Sequence, residues 1–392
     1  MGLKKVYLDN NATTRVDNSV VEYMNRFYLE NYAVASSQFS HTPGIKAKEG
    51  VEKAREIIAR KINAGNNKIV FTSGSEEANN IALKGTALAN RGSDRKGLIV
   101  SKIEHFSVLD SAKSLGKHGF NVDFIDVDNE GFVDIDHLKS LLNDKTLLVS
   151  VMHGNHEIGT IQDLDAISEV VHRAGALFHT DASYSFLQVP VDVESTGIDL
   201  LSVSSDKVYG PKGTGALYVS DSVKITKIND GGFQEFNLRG GIENVPGIAG
   251  FGKACEIFSE KDIEKTRSIR DYLYEQLRLN IEGILLNGSS DLNRRLPNNM
   301  NVSFNYVEGE SVVLHLDMRG IAVITGSACF SRALQASHVL MAMGFSHERA
   351  HGSIRFSPGK FTTKDDIDYT VGHVKEVVTK LRELSPLAAT PT

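Results

Sequence analysis

From about residue 45 to 220 the chain alternates short, nearly continuous apolar runs with amphipathic stretches of helical period, and no other feature restricts its fold as strongly. The runs lie at 68–72, 98–101, 122–125, 147–152, 177–179 and 200–204, with helical segments such as 76–89 and 108–117 between them. Strands that are apolar on both faces must be covered on both faces, and parallel neighbours need a crossover connection, usually a helix. The pattern predicts an α/β fold with a mainly parallel sheet sandwiched by helices, and ligands beyond the carboxyl ends of its strands. After residue 220, Gly231-Gly232 and Gly240-Gly241 mark a loop-rich connection, and a charged helical stretch runs from about 248 to 280. The last hundred residues read as strand, strand, helix, strand, helix, which predicts a smaller α+β lobe.

A length of 392 residues is more than one ordinary core requires, so a large domain with an appended lobe, or two to three domains, is expected. No run approaches the ~20 apolar residues of a membrane span. Lys and Arg number 43 against 49 for Asp and Glu, a formal charge of −6, which leaves no global basic field for nucleic acid or an anionic membrane. Small-molecule chemistry fits this balance better. Two cysteines, Cys255 and Cys329, are no disulfide framework and predict a reducing, cytoplasmic setting. The start reaches polar Asp9-Asn10-Asn11 too soon for a signal-peptide apolar region, and Val6 stands where myristoylation wants Ser or Thr.

Four constellations could carry chemistry. Phe71-Thr72-Ser73-Gly74-Ser75-Glu76 runs from a strand through a Gly turn into a helix, a place where open amides can hold a phosphate or simply begin an ordinary helix. Asp181 and Lys207 each follow a buried strand, so an acid and an amine reach one sheet edge, where they could serve a pyridinium nitrogen and a Schiff-base aldehyde or be merely solvated. His105, in Glu104-His105 after another buried strand, shares that edge. Cys329 lies in Gly326-Ser327-Ala328-Cys329, a small polar setting that suits a reactive thiol, whereas Cys255 sits in an apolar run. Arg355, in Ile354-Arg355-Phe356, offers a planar fork for a carboxylate, with an ordinary ion pair as the alternative. His347-Glu348-Arg349-Ala350-His351 matches the H-E-x-x-H zinc pattern, but Gly344 and Gly352 bracket a segment too short for the helix that pattern needs; no metal site is expected.

Together these segments resemble the NifS/IscS-like cysteine desulfurases, class-V members of the fold-type-I pyridoxal-phosphate (PLP) enzymes. The likeness runs from Leu8-Asp9-Asn10-Asn11-Ala12-Thr13-Thr14 to Ser353-Ile354-Arg355-Phe356-Ser357 and includes Glu104-His105, Glu157-Ile158-Gly159, Tyr209-Gly210-Pro211-Lys212-Gly213 and Gly326-Ser327-Ala328-Cys329. The resemblance implies a mainly parallel seven-stranded sheet, with a large domain over 15–255 and a small one from 1–14 and 256–392 that carries the cysteine loop. It implies PLP held by Lys207, Asp181, His105, Ser75 and Ser204, and a substrate L-cysteine held by Arg355 and Asn155. Lys207, His105 and Cys329 would be catalytic, with alanine and a Cys329 persulfide as products. A homodimer is implied, with the loop 239–245 reaching the neighbour's cofactor, and an iron–sulfur scaffold or other protein as sulfur acceptor.

The sequence departs from the family where the cofactor is held. Glu76 stands for Thr, Asp206 for His, Ile242 for Thr, His156 for Asn and Tyr184 for Gln; residues 35–39 replace a further substrate contact. Carboxylates beside a phosphate are repulsive, increasingly so as water is excluded. Two readings follow: the acids turn away or are paired so that a desulfurase survives, or PLP is lost and a scaffold presents Cys329 to a cluster-assembly partner.

Overall fold

The computed structural model describes residues 3–326 and 336–385. Thirteen strands are formed among the described residues: β1 (Val6–Tyr7), β2 (Ile69–Thr72), β3 (Gly97–Ser101), β4 (Asn121–Ile125), β5 (Thr146–Ser150), β6 (Leu177–Asp181), β7 (Leu200–Ser204), β8 (Gly215–Val219), β9 (Ile284–Asn287), β10 (Met300–Phe304), β11 (Ile321–Ala322), β12 (Ile324–Thr325) and β13 (Ser353–Phe356). Strands β2 to β8 make one seven-stranded sheet in the order β2-β8-β7-β6-β5-β3-β4. Its central strands β5 and β7 are buried at every residue, whereas β4 at the edge alternates in exposure. Both the sheet and its helical cover agree with the alternation in the sequence.

The exception to parallel order is β8, which runs antiparallel to both β7 and β2. Only ten residues, 205–214, join β7 to β8, too few for the crossover a parallel neighbour requires. That tight return carries Lys207. Ser204 lies opposite Gly215 in the β7/β8 register. A Cβ on Gly215 would come within 2.7 Å of the Gly74 backbone, so the missing side chain lets the turn after β2 pack directly on β8.

The helical run after β2 begins at Ser75 and continues through a π-turn at Ile81–Gly85 to Ala89. The stretch that reads as one helix over 248–280 is two. Helix Val245–Ile257 stops at Phe258, and helix Glu260–Asn280 starts from Ser259, whose side chain and that of Asp262 cap each other's backbone N–H groups. The Ser-x-x-Asp capping box was the sequence signal for that break.

Four apolar clusters form among the described residues, and two of them show the main division of the fold. One fills the space between the large sheet and its helices, with Phe71, Val149, Phe178, Val203 and Phe251 among its members. The other gathers Val6 and Leu8 with Leu273, Met300, Phe304, Phe356 and Val374 against the antiparallel sheet β12-β13-β10-β9. Strand β1 pairs in parallel with β11. Beyond β1 the chain bridges the cores: Asn10 N–H donates to the Ser357 carbonyl and Thr14 N–H to the Asp206 carbonyl. No helix among the described residues is long and apolar enough to cross a membrane.

Candidate active site

The strand ends deliver their polar residues to one cavity of about 630 Å³. Lys207, Ser75, His105, His156, Tyr184 and Arg355 line it, as do Glu76 and Glu157. They arrive from the turns after β2, β3, β5, β6 and β7 and from β13. This is the expected place for a ligand in an open α/β sheet.

The Lys207 ammonium donates to the Ala12 carbonyl and lies 3.0 Å from Asp206 Oδ2. Burial alone would raise the Asp206 carboxyl, yet the charge of Lys207 and hydrogen bonds from Ser204 and Lys207 hold it below the usual carboxylate range. The Tyr184 ring centroid is 5.2 Å from Lys207 Nζ, a cation–π contact. Ser204 does not face the cavity: its hydroxyl donates to Asp206 Oδ1.

His105 caps the helix Phe106–Gly116, its Nδ1 accepting from the Ser107 N–H at 3.2 Å. In the neutral ring the proton is therefore on Nε2. Ser107 Oγ lies 2.8 Å from the same Nδ1 and accepts from Asn79 Nδ2 at 2.9 Å, while Asn79 Nδ2 also donates to Asp181 Oδ2 at 2.8 Å. Asp181 is fully buried, and Ser183 donates to its other oxygen through both N–H and Oγ. A carboxylate has about four lone-pair sites, so these three donors leave one for a further N–H. Asn79 was not singled out by its sequence context. The signal available was its i, i+4 spacing from Ser75, which places both on one helix face.

Arg355 is nearly buried and fixed, with Nη2 2.8 Å from Asp9 Oδ1 and Nη1 donating to the His156 carbonyl at 3.1 Å. Arg355 also lines the cavity, and its Nε is buried with no partner among the described residues. The sequence reading places Asn155 among the substrate contacts. It is absent from the cavity wall and buried, its amide donating to the Ile103 carbonyl and its oxygen accepting from Glu157 and Ile158 N–H. Asn155 shapes the loop after β5, and the next residue, His156, is the one that meets the cavity. The His156 ring lies 5.5 Å from that of His105 and 5.4 Å from that of Tyr184. Burial first, and then the surrounding His105, His338, Arg355 and Lys207, push its pKa well below the usual histidine value. It is a neutral imidazole whose buried Nδ1 has no partner among the described residues.

Glu157 is also buried, and burial raises its carboxyl to about 8 against the opposing effects of Ser337 and Arg355. Cys329 lies outside the described residues, which resume at Ala336 beyond Gly326. Buried Cys255 is held as a thiol, its pKa pushed far above the ordinary value by desolvation. His347 and His351 share a helix of only five residues, with His351 Nδ1 3.7 Å from Glu308.

The chain matches the aminotransferase class-V family over residues 6–370. It belongs to that family. It is 46% identical to the cysteine desulfurase IscS of Dictyoglomus turgidum, over 98% of this chain and 97% of that one. It is 47% identical to cysteine desulfurase IscS 1 of Archaeoglobus fulgidus, over 97% of this chain and 99% of that one. Among solved structures, a NifS-like protein superimposes with a TM-score of 0.88 at 35% identity, covering 96% of this chain and all of the other. The resemblance to fold-type-I PLP enzymes read from the motifs is thus borne out.

Members of the family use pyridoxal phosphate. The residues present fit its ring: an open acceptor position on Asp181 would suit a pyridinium N–H, Lys207 would supply an amine for the aldehyde, and His105 lines the same cavity as Lys207. Ser75, at the cavity wall where the helical run begins, would offer a hydroxyl and a first-turn amide to the phosphate.

Proposed function

We propose that this chain is a PLP-dependent cysteine desulfurase that converts L-cysteine to L-alanine and gathers the sulfur as a persulfide on Cys329. The observation that supports the reading is a cavity lined by Lys207, His105 and Arg355, with buried Asp181, at the end of the strand next to β7, linked to His105 through Asn79 and Ser107. When bound, PLP supplies an electron sink for the α-carbon of the amino acid. Arg355, held by Asp9, orients the substrate carboxylate with its remaining N–H groups. Lys207 is the group that moves the α-proton, because its amine is at the cavity wall, 3.0 Å from Asp206 Oδ2. His105 presents Nε2–H to the cavity as a donor. The Cys329 thiolate attacks the substrate sulfur; the carbon–sulfur bond breaks, a sulfur–sulfur bond forms, and alanine keeps the proton balance without an external oxidant or reductant.

A cytoplasmic homodimer fits the negative charge and sparse cysteines, and exposed Phe233, Phe236 and Ile242 beside the loop 239–245 suit cover by a second copy. An iron–sulfur cluster scaffold or another thiol protein would take the sulfur. The test is a visible spectrum of the full chain with added PLP, followed by L-cysteine and an assay for alanine. A band that appears with PLP, shifts with cysteine and yields alanine is the expected result. A flat spectrum at saturating PLP would refute the reading in favour of the scaffold that only presents Cys329. The acid beside Lys207 is the observation that favours that second reading.

A further inference from the structure

On the pyridine ring of PLP the phosphate-bearing carbon is next to the carbon that bears the aldehyde. An aldehyde held at Lys207 would bring the phosphate among the neighbours of Lys207, toward Ser75 and Glu76 on the cavity wall, with Asp206 in contact with Lys207. That end is already charge-balanced or worse. Asp206 Oδ2 lies 3.0 Å from Lys207 Nζ, and Asp206 Oδ1 takes the hydroxyl of Ser204. Arg239 lies beside the same helix start, but its Nε is 3.2 Å from Glu77, whose other oxygen accepts from the Ser73 N–H. Glu76 adds an exposed carboxylate at the cavity wall with no ion pair among the described residues. Asp206, Glu76 and Glu77 thus stand against Lys207 and Arg239, the further lysine of the cavity wall, Lys113, is paired with Asp110, and Ile242 in the nearby loop is 69% exposed and apolar. The contacts at the other end, from Asp181 and His105, do not involve any of these groups.

We propose that Asp206 is a cofactor-selecting residue: its carboxylate, paired with Lys207, takes the place of an anion at this end of the cavity, so the site accepts unphosphorylated pyridoxal nearly as well as PLP. The inference rests on the PLP-enzyme reading above and deepens it. Ring recognition is kept while the phosphate gains little, because a dianion enters where both nearby cations are engaged and the carboxylate of Asp206 is ionised.

The test is equilibrium titration of the full chain, freed of cofactor, with PLP and with pyridoxal, for the wild type, Asp206→Asn and Glu76→Gln. Folding of each is checked by circular dichroism. The wild type is expected to prefer PLP by no more than ~10-fold, and Asp206→Asn to widen that ratio at least ~10-fold by tightening PLP, the scale of one charge removed at contact range. Glu76→Gln, at an exposed position, should widen it in the same direction. Because like charges are screened by salt, wild-type affinity for PLP should hold or rise between 50 and 500 mM, roughly. A wild-type preference for PLP above ~1000-fold, a ratio unmoved by Asp206→Asn, or PLP affinity that falls steeply with salt would each overturn the inference and leave the desulfurase reading standing. If Asp206→Asn does not fold, the salt dependence and Glu76→Gln decide. Binding of neither compound to any of the proteins overturns both.

Discussion

Replacing Glu157 by Gln isolates the cost of keeping an acid beside the active site. Glu157 is buried, one carboxylate oxygen has no hydrogen-bond partner among the described residues, and a Cβ on Gly326 would come within 2.2 Å of that oxygen. Desolvation raises its pKa from the usual 4.5 to about 8, so the side chain is a neutral acid near pH 7. The folded protein then holds a proton that the unfolded chain releases above pH 4.5. A raised folded-state pKa contributes stability that is full below the unfolded value and is lost as pH rises through the folded one. Between pH 4.5 and about 8 the loss runs at up to ~1.4 kcal/mol per pH unit, or ~5 kcal/mol in all as an upper bound. Glutamine has nearly the same shape and no charge to develop. The urea-unfolding midpoints of the two proteins should therefore converge below pH 5 and separate steadily towards pH 8, with Glu157→Gln increasingly the more stable relative to wild type. Parallel curves from pH 5 to 8 would refute the argument, because they would mean that Glu157 is ionised or relaxed into water.

Lys207→Ala should eliminate the visible band formed with PLP, and an unchanged spectrum would remove Lys207 from its role. Cys329→Ala should abolish sulfur transfer, read as persulfide on the chain after cysteine is added, and leave the cofactor band intact; losing both together would contradict the separate roles. Asn155→Ala leaves three buried backbone groups without partners, at about 1–3 kcal/mol for each that stays unsatisfied. It should lower the thermal midpoint by several degrees, and a raised KM for cysteine at unchanged stability would restore Asn155 to substrate binding.

Much of the fold was legible because strand and helix periods are written among sequence neighbours. The apolar runs at 98–101, 147–152 and 200–204 coincide within two residues with β3, β5 and β7. A parallel sheet must then place Lys207, Asp181 and His105 near one edge, whatever the details of packing. The reversal of β8 follows from loop length, which the sequence contains but which composition obscures. The break at Ser259 was hidden because charged residues continue across it on both sides.

What the sequence by itself determined is the sheet, its helical cover and the edge at which the acid, the amine and the imidazole meet, since all three depend on local period and chain direction. Only the tertiary structure decided which polar group each of them touches. Asn79 reaches Asp181 across 102 positions, Asp9 fixes Arg355 across 346, and Asn155 turns inward to Ile103 while His156 takes the cavity. Those choices are made by burial: a polar group removed from water must find a partner within hydrogen-bond reach, and which partner is near is set by packing rather than by distance along the chain.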